Sequence, residues 1–143
     1  MFLGEFQHSV DPKGRVILPS KFRAALKEGL VVTKGLEECL FVYPQSEWQK
    51  MEENVRGLPT TRKDARAFAR SFFAGAIGSK LDRLGRVFIP QNLRDFAHLT
   101  KDVVVIGVSA RIEIWDKVRW NRYQKETDKA YTDIAEKLTD LGI

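Results

Sequence analysis

The chain has 143 residues, 43% of them hydrophobic and 30% charged, with a net charge of +5 and a single cysteine. That length can bury a core; no apolar run approaches a membrane span, and one cysteine excludes an internal disulfide. The first residues show no basic stretch leading into an apolar one, so a cytosolic chain without secretory signal or disulfide is expected.

Phe2–Val10 reads as an extended segment ending at Asp11-Pro12-Lys13-Gly14. Asp first, Pro second and Gly fourth suit a type I turn. Gly14 takes positive φ at little cost, and a bulge there would splay Arg15 outward. Arg15–Leu18 is the return strand. Pro19 stops the ladder and opens a short helix, Ser20–Lys27, closed by Gly29. Strands Leu30–Thr33 and Leu40–Tyr43 follow, joined through Gly35, and then a helix over Ser46–Val55.

Thr60–Ala76 reads as a helix, with Ala65, Phe68, Ala69, Phe72, Phe73 and Ala76 on one face and Arg62, Arg66 and Arg70 on the other. A solvated basic face is the simpler reading of those arginines, with phosphate contact as the alternative. Gly57-Leu58-Pro59 and Gly75–Gly78 are expected hinges.

The plan then repeats. Asp11, Gly14, Arg15, Val16, Pro19 and Arg23 return 71 positions later as Asp82, Gly85, Arg86, Val87, Pro90 and Arg94. A turn at Asp82–Gly85, a strand at Arg86–Ile89, a helix at Asn92–Leu99 and strands at Val103–Val108 and Arg111–Trp115 are expected. In the last strand, Ile112 and Ile114 should point inward and Arg111 and Glu113 outward. One long helix over Lys117–Leu141 carries Trp120, Tyr123, Thr127, Ile134 and Leu138 on one face. Trp48, Met51 and Val55 match Trp120, Tyr123 and Thr127, and such stripes are core or subunit contacts rather than a cofactor box.

The chain is thus a tandem duplication, with period too long for ordinary solenoids. Each half, about 70 residues, would be marginal alone, so both should share one core. The expected layout is a single pseudo-twofold domain over 1–143. It consists of a first half at 5–56, a connecting helix at 57–78, and a second half at 79–143 with the long terminal helix.

Positive charge concentrates in the repeated loops. Lys13, Arg15, Lys21, Arg23 and Lys27 oppose Asp11 alone in 11–27; Lys80, Arg83, Arg86 and Arg94 oppose Asp82 alone in 80–94. The rest of the chain is slightly acidic. Such a distribution suits polyphosphate binding or an ordinary solvated face. Catalysis finds no support: His8 and His98 are not equivalent, Cys39 has no local activating partner, and no nucleophile, metal or phosphate-loop motif appears. Arg15 and Arg86 would hold Asp11 and Asp82 ionised rather than poised as acids. No catalytic residue, metal site, cofactor or small-molecule substrate is expected.

The Asp-x-x-Gly-Arg loop remains. As a turn, Asp caps backbone amides, Gly bends the chain and Arg pairs with Asp. A turn does not require arginine twice, accompanied by Lys13 in one copy and Arg83 in the other. Arginine's planar fork suits phosphate or guanine O6/N7, with Asp able to hold it. Lys13 and Arg83 would add salt-sensitive phosphate contacts.

Met1-Phe2-Leu3-Gly4, the Asp11–Arg23 motif and its repeat at Asp82–Pro90 make the chain resemble the MraZ family of bacterial transcriptional regulators, and the likeness spans nearly all of it. The resemblance implies the AbrB and MazE type of fold: an α+β molecule whose double-split, swapped-hairpin β-barrel is formed here by two intrachain repeats with flanking helices. It also implies a ring-like homo-oligomer in the cytoplasm, associated with the nucleoid. Such a ring binds short double-stranded DNA repeats near the promoter of the division and cell-wall gene cluster. Carried over to this sequence, Asp11 with Arg15 and Asp82 with Arg86 form the DNA-reading element, with Gly14 and Gly85 shaping the loops; Lys13 and Arg83 are added on electrostatic grounds. The rival reading is an antitoxin-like or scaffold protein whose basic loops meet an acidic protein partner. An RNA-binding barrel ranks lower, because the aromatic residues fall at core-like positions.

Overall fold

The computed structural model describes residues 1–143. The first repeat contains β1 (Phe2–Ser9), β2 (Arg15–Ile17), α1 (Ser20–Arg23) running into a 3₁₀ turn at Ala24–Leu26, β3 (Leu30–Lys34), β4 (Leu40–Pro44) and α2 (Gln45–Arg56). Then come α3 (Lys63–Ala74), β5 (Ile77–Ser79), β6 (Arg86–Phe88), α4 (Gln91–Phe96), β7 (Asp102–Ser109) and β8 (Arg111–Asp116). The chain closes with α5 (Lys117–Lys129), α6 (Tyr131–Lys137) and a 3₁₀ turn at Thr139–Leu141.

Six strands form one antiparallel sheet in the order β1-β7-β8-β4-β3-β5. The order reads the same from either end once each strand is replaced by its repeat partner. The outer strands are exchanged: β1 lies on β7 of the second repeat, and β5 lies on β3 of the first. β2 and β6 pair with each other in a separate ribbon, with Val16 opposite Val87. The mixed helix and sheet class expected from the sequence is present. The sheet, however, is open, ending at β1 and β5, so no hydrogen-bonded barrel is closed.

Alternation along β4 and β8 explains the layers. Leu40, Val42, Ile112 and Ile114 face a core shared with Val16, Leu18, Phe22, Val87, Ile89 and Leu93, beneath the ribbon and short helices. Phe41, Tyr43 and Trp115 face a second cluster, which Trp48, Phe72, Trp120 and Tyr123 cover from α2, α3 and α5. The aromatic stripes are therefore packing surface. Trp48 stacks on Phe72 with centroids 5.3 Å apart, and the Thr33 hydroxyl donates to the Phe72 carbonyl at 2.7 Å, which fastens α3 to β3.

Four expectations need correction. Arg15–Leu18 does not return along β1, since a single bridge, Val10 to Val16, joins them and β2 spends its ladder on β6. Gly78 lies in β5 opposite Val31 and is no hinge. Glu113 is buried, because β8 is central and covered on both faces. It accepts hydrogen bonds from Arg111 and the Trp115 indole, so its burial is compensated. The terminal helix breaks at Ala130. There the Thr127 hydroxyl bonds back to the Tyr123 and Gln124 carbonyls, an arrangement that bends helices. Beyond the break Tyr131, Ile134 and Leu138 are exposed.

Candidate nucleic-acid interface

Each loop is closed by its aspartate. Asp11 Oδ1 accepts from the amides of Lys13 and Arg15, both at 2.9 Å, while Oδ2 accepts from Arg15 Nε at 2.7 Å. Asp82 repeats this with the amides of Leu84 and Arg86 at 3.0 and 2.9 Å, and with Arg86 Nε at 2.7 Å. The backbone closes as Gly14 N to Asp11 O, and as Gly85 N to Asp82 O. Gly14 and Gly85 stand at φ +82° and +76°, where only glycine sits without strain. Each arginine is thereby gripped through Nε, leaving its two terminal amino groups without a hydrogen-bond partner in the chain.

The ribbon then sets direction. Inward-facing Val16 and Val87 are fully buried, so their neighbours must point outward. Arg15 lies opposite Phe88, and Ile17 opposite Arg86, putting two arginines and two apolar side chains on one outer face. The side chains of Arg15 and Arg86 are 29% and 27% exposed, so neither is lost in the interior. The loops also approach each other: Arg86 Nη1 is 3.9 Å from Asp11 Oδ2. Lys13 and Arg83 are both exposed at the loops. Of the eight residues singled out in the sequence, Asp11, Lys13, Gly14, Asp82, Arg83 and Gly85 therefore lie on the two loops, and Arg15 and Arg86 open the ribbon strands that follow them.

Electrostatics support fixed ionisation. The Arg15 amide, then its guanidinium and the Lys13 amide, hold the Asp11 carboxyl below its ordinary 3.8. The Arg86 amide, then its guanidinium and the Leu84 amide, do the same for Asp82. Ion pairs this exposed contribute little stability. Their effect is to orient the guanidinium.

Residues 1–71 and 72–141 each match the family model described as "MraZ protein, putative antitoxin-like". The chain belongs to the MraZ family. Proteins named Transcriptional regulator MraZ from Acetivibrio thermocellus, Moorella thermoacetica and Natranaerobius thermophilus are 55%, 53% and 52% identical to it over 143 residues, covering the whole of both chains. The work of MraZ proteins is regulation rather than catalysis.

In this MraZ chain the loop motif alone misses an important pair. Arg23 donates from Nε to the Leu18 carbonyl at 3.0 Å and lies against Gly85 of the other repeat. Arg94 donates to the Ile89 carbonyl at 2.8 Å and lies against Gly14, where an added Cβ would come within 2.9 Å of its guanidinium. Backbone ties run the same way: Leu18 N donates to Gly85 O, and Ile89 N to Gly14 O, both at 2.9 Å. Each loop is therefore buttressed by the opposite repeat. The coincidence of Arg23 and Arg94 in the duplication was the available signal. Ile17 and Phe88 gave none beyond strand alternation.

Proposed function

We propose that the chain is a sequence-specific double-stranded DNA-binding transcriptional regulator. The observation that supports this best is the two-stranded ribbon β2–β6, which carries two aspartate-clamped arginines on one outward face. A two-stranded ribbon fits the major groove, and free arginine amino groups can meet guanine O6/N7 or phosphate. Ile17 and Phe88, between the arginines, suit apolar contact with base methyl groups. Lys13 and Arg83 act on the backbone. The exchanged strands support treating 1–143 as one pseudo-twofold unit, with halves 5–56 and 79–143 of the interlocked AbrB type joined by 57–78. Its place of action on this reading is the cytoplasm, at the nucleoid.

The exposed apolar side chains of Ile134, Leu138 and Leu141 suit contact between copies. A homo-oligomeric ring of such units would engage several short repeats at once and gain affinity through effective concentration. By resemblance, the target is the promoter region of the division and cell-wall gene cluster. A salt series comparing duplex with single-stranded DNA, followed by footprinting upstream of the chain's own gene, tests the proposal. Steep salt dependence with duplex and evenly spaced protection are expected; no protection at low salt would refute it.

The antitoxin-like wording of the family description keeps a second reading in view, an acidic protein partner held by the same loops. That reading requires a stable protein complex and weak, shallow dependence of duplex binding on salt.

A further inference from the structure

The two loops are nearly superposable in their hydrogen bonding, yet their flanks differ. Beside the second loop lies an open hollow of about 390 Å³, bordered by Asp82 and Gly85 of the loop itself and by the cations Arg23, Lys27, Lys80 and Arg83. At the equivalent positions beside the first loop, Lys27 becomes His98, Lys80 becomes Ser9 and Arg83 becomes Pro12; only Arg94 keeps its charge. That flank also gains an acid, because Ala24 becomes Asp95. His98 is 3.2 Å from Glu38, so its ring faces a carboxylate. Lys13 returns one cation to the first loop, at the place held by Leu84 in the second.

We propose that Lys27 and Lys80, with Arg83, form a seat for backbone phosphate beside the second loop that the first loop lacks, so that the protein grips phosphate more strongly on one flank of its site than on the other. The inference rests on the duplex reading above. The second flank carries Lys27, Lys80 and Arg83 where the first has His98, Ser9 and Pro12, so its hold on phosphate is the stronger, and such contacts fix register without reading sequence. Lys27 and Lys80 are exposed and make no ion pair within the chain, so nothing in the fold claims their charge.

The test uses the full chain, as wild type and as the Lys27→Ala/Lys80→Ala variant, on a duplex holding one binding element. Losing two phosphate contacts should lower the salt slope by about 1.8, so that a fourfold rise in salt costs the variant about 12-fold less affinity than it costs wild type. Methylphosphonate substitution along the duplex should weaken wild-type binding on one flank more than on the mirror flank, and the variant should show equal flanks. An unchanged slope with the same flank pattern in both proteins overturns the proposal while leaving duplex binding intact. Failure of wild type to bind any duplex at low salt overturns instead the reading beneath it. Orthophosphate should inhibit no more than chloride at matched ionic strength. Saturable competition by orthophosphate, lost in the variant, would make the hollow a free-anion site and also defeat the proposal. A Lys27→Gln/Lys80→Gln variant of unchanged melting temperature separates these effects from loss of fold.

Discussion

Arg15 and Arg86 are each hydrogen-bonded through Nε alone, and their terminal amino groups make no hydrogen bond within the chain, although Arg86 Nη1 lies 3.9 Å from Asp11 Oδ2. That arrangement separates them from Lys13, whose ammonium has no carboxylate partner. Replacing Arg15 with alanine should cost about 1–3 kcal/mol of binding to a specific duplex and flatten the preference among sequences, whereas Lys13→Ala should weaken all duplexes alike. Competition titrations with specific and scrambled DNA distinguish the two; an equal loss on both DNAs from Arg15→Ala would contradict the assigned roles. The aspartates give a pH signature. Their folded values lie below 3.8, so the stability they contribute is fully present above that pH and is lost as pH falls through the lowered values. Urea unfolding of wild type and Asp11→Asn/Asp82→Asn across pH 2–7 should therefore show a shallower acid decline in the variant. Identical declines would mean the carboxylates are not linked to folding as their contacts require. Much of this was legible beforehand, because Asp, Gly and Arg act on one another within five residues. Arg23 and Arg94 were visible only as a coincidence, since the glycines they cover belong to the opposite repeat.

At the level of elements, the loops are seats built against foreign side chains. Gly85 combines φ +76° with the Arg23 guanidinium lying where a Cβ would go. Gly85→Ala should therefore lower stability by about 1–3 kcal/mol. Adding Arg23→Ala should recover the crowding part of that loss and leave the part due to backbone strain. Gly78→Ala, in open space at negative φ, serves as the control and should be nearly silent in thermal melts. The expected strands were found because their apolar runs end at glycine and proline. Glu113 was misplaced for a nonlocal reason: its neighbours Arg111 and Trp115 close over it only because α5 covers that face. The break after Lys129 left no proline or glycine to announce it.

Across the molecule, β1 and β5 have each left their own repeat, and β2 has only β6 to pair with. Residues 1–71 alone therefore lack the partners for two of their strands and keep a core too small for a stable monomer. Two such fragments could, however, offer each other the same pairings. Strand circular dichroism and sedimentation equilibrium should show an unfolded fragment at low concentration and a folded dimer as concentration rises. A folded monomeric fragment would show that the exchange is dispensable. Duplication was plain in the sequence, but which strand crosses to which repeat was not, because apolar alternation marks a face and never names a neighbour.

The reciprocal seating of Arg23 on Gly85 and Arg94 on Gly14 carries a consequence for inheritance. Neither copy can alter its half of those couples without injuring the other, so descent must keep them in step. Surface positions outside the couples carry no such tie, and there the copies have parted, lysine on one side and histidine on the other. A chain that paired with an identical twin could never do this, since every mutation would appear on both faces. Joining the twins end to end gave a twofold scaffold the means to acquire a front and a back.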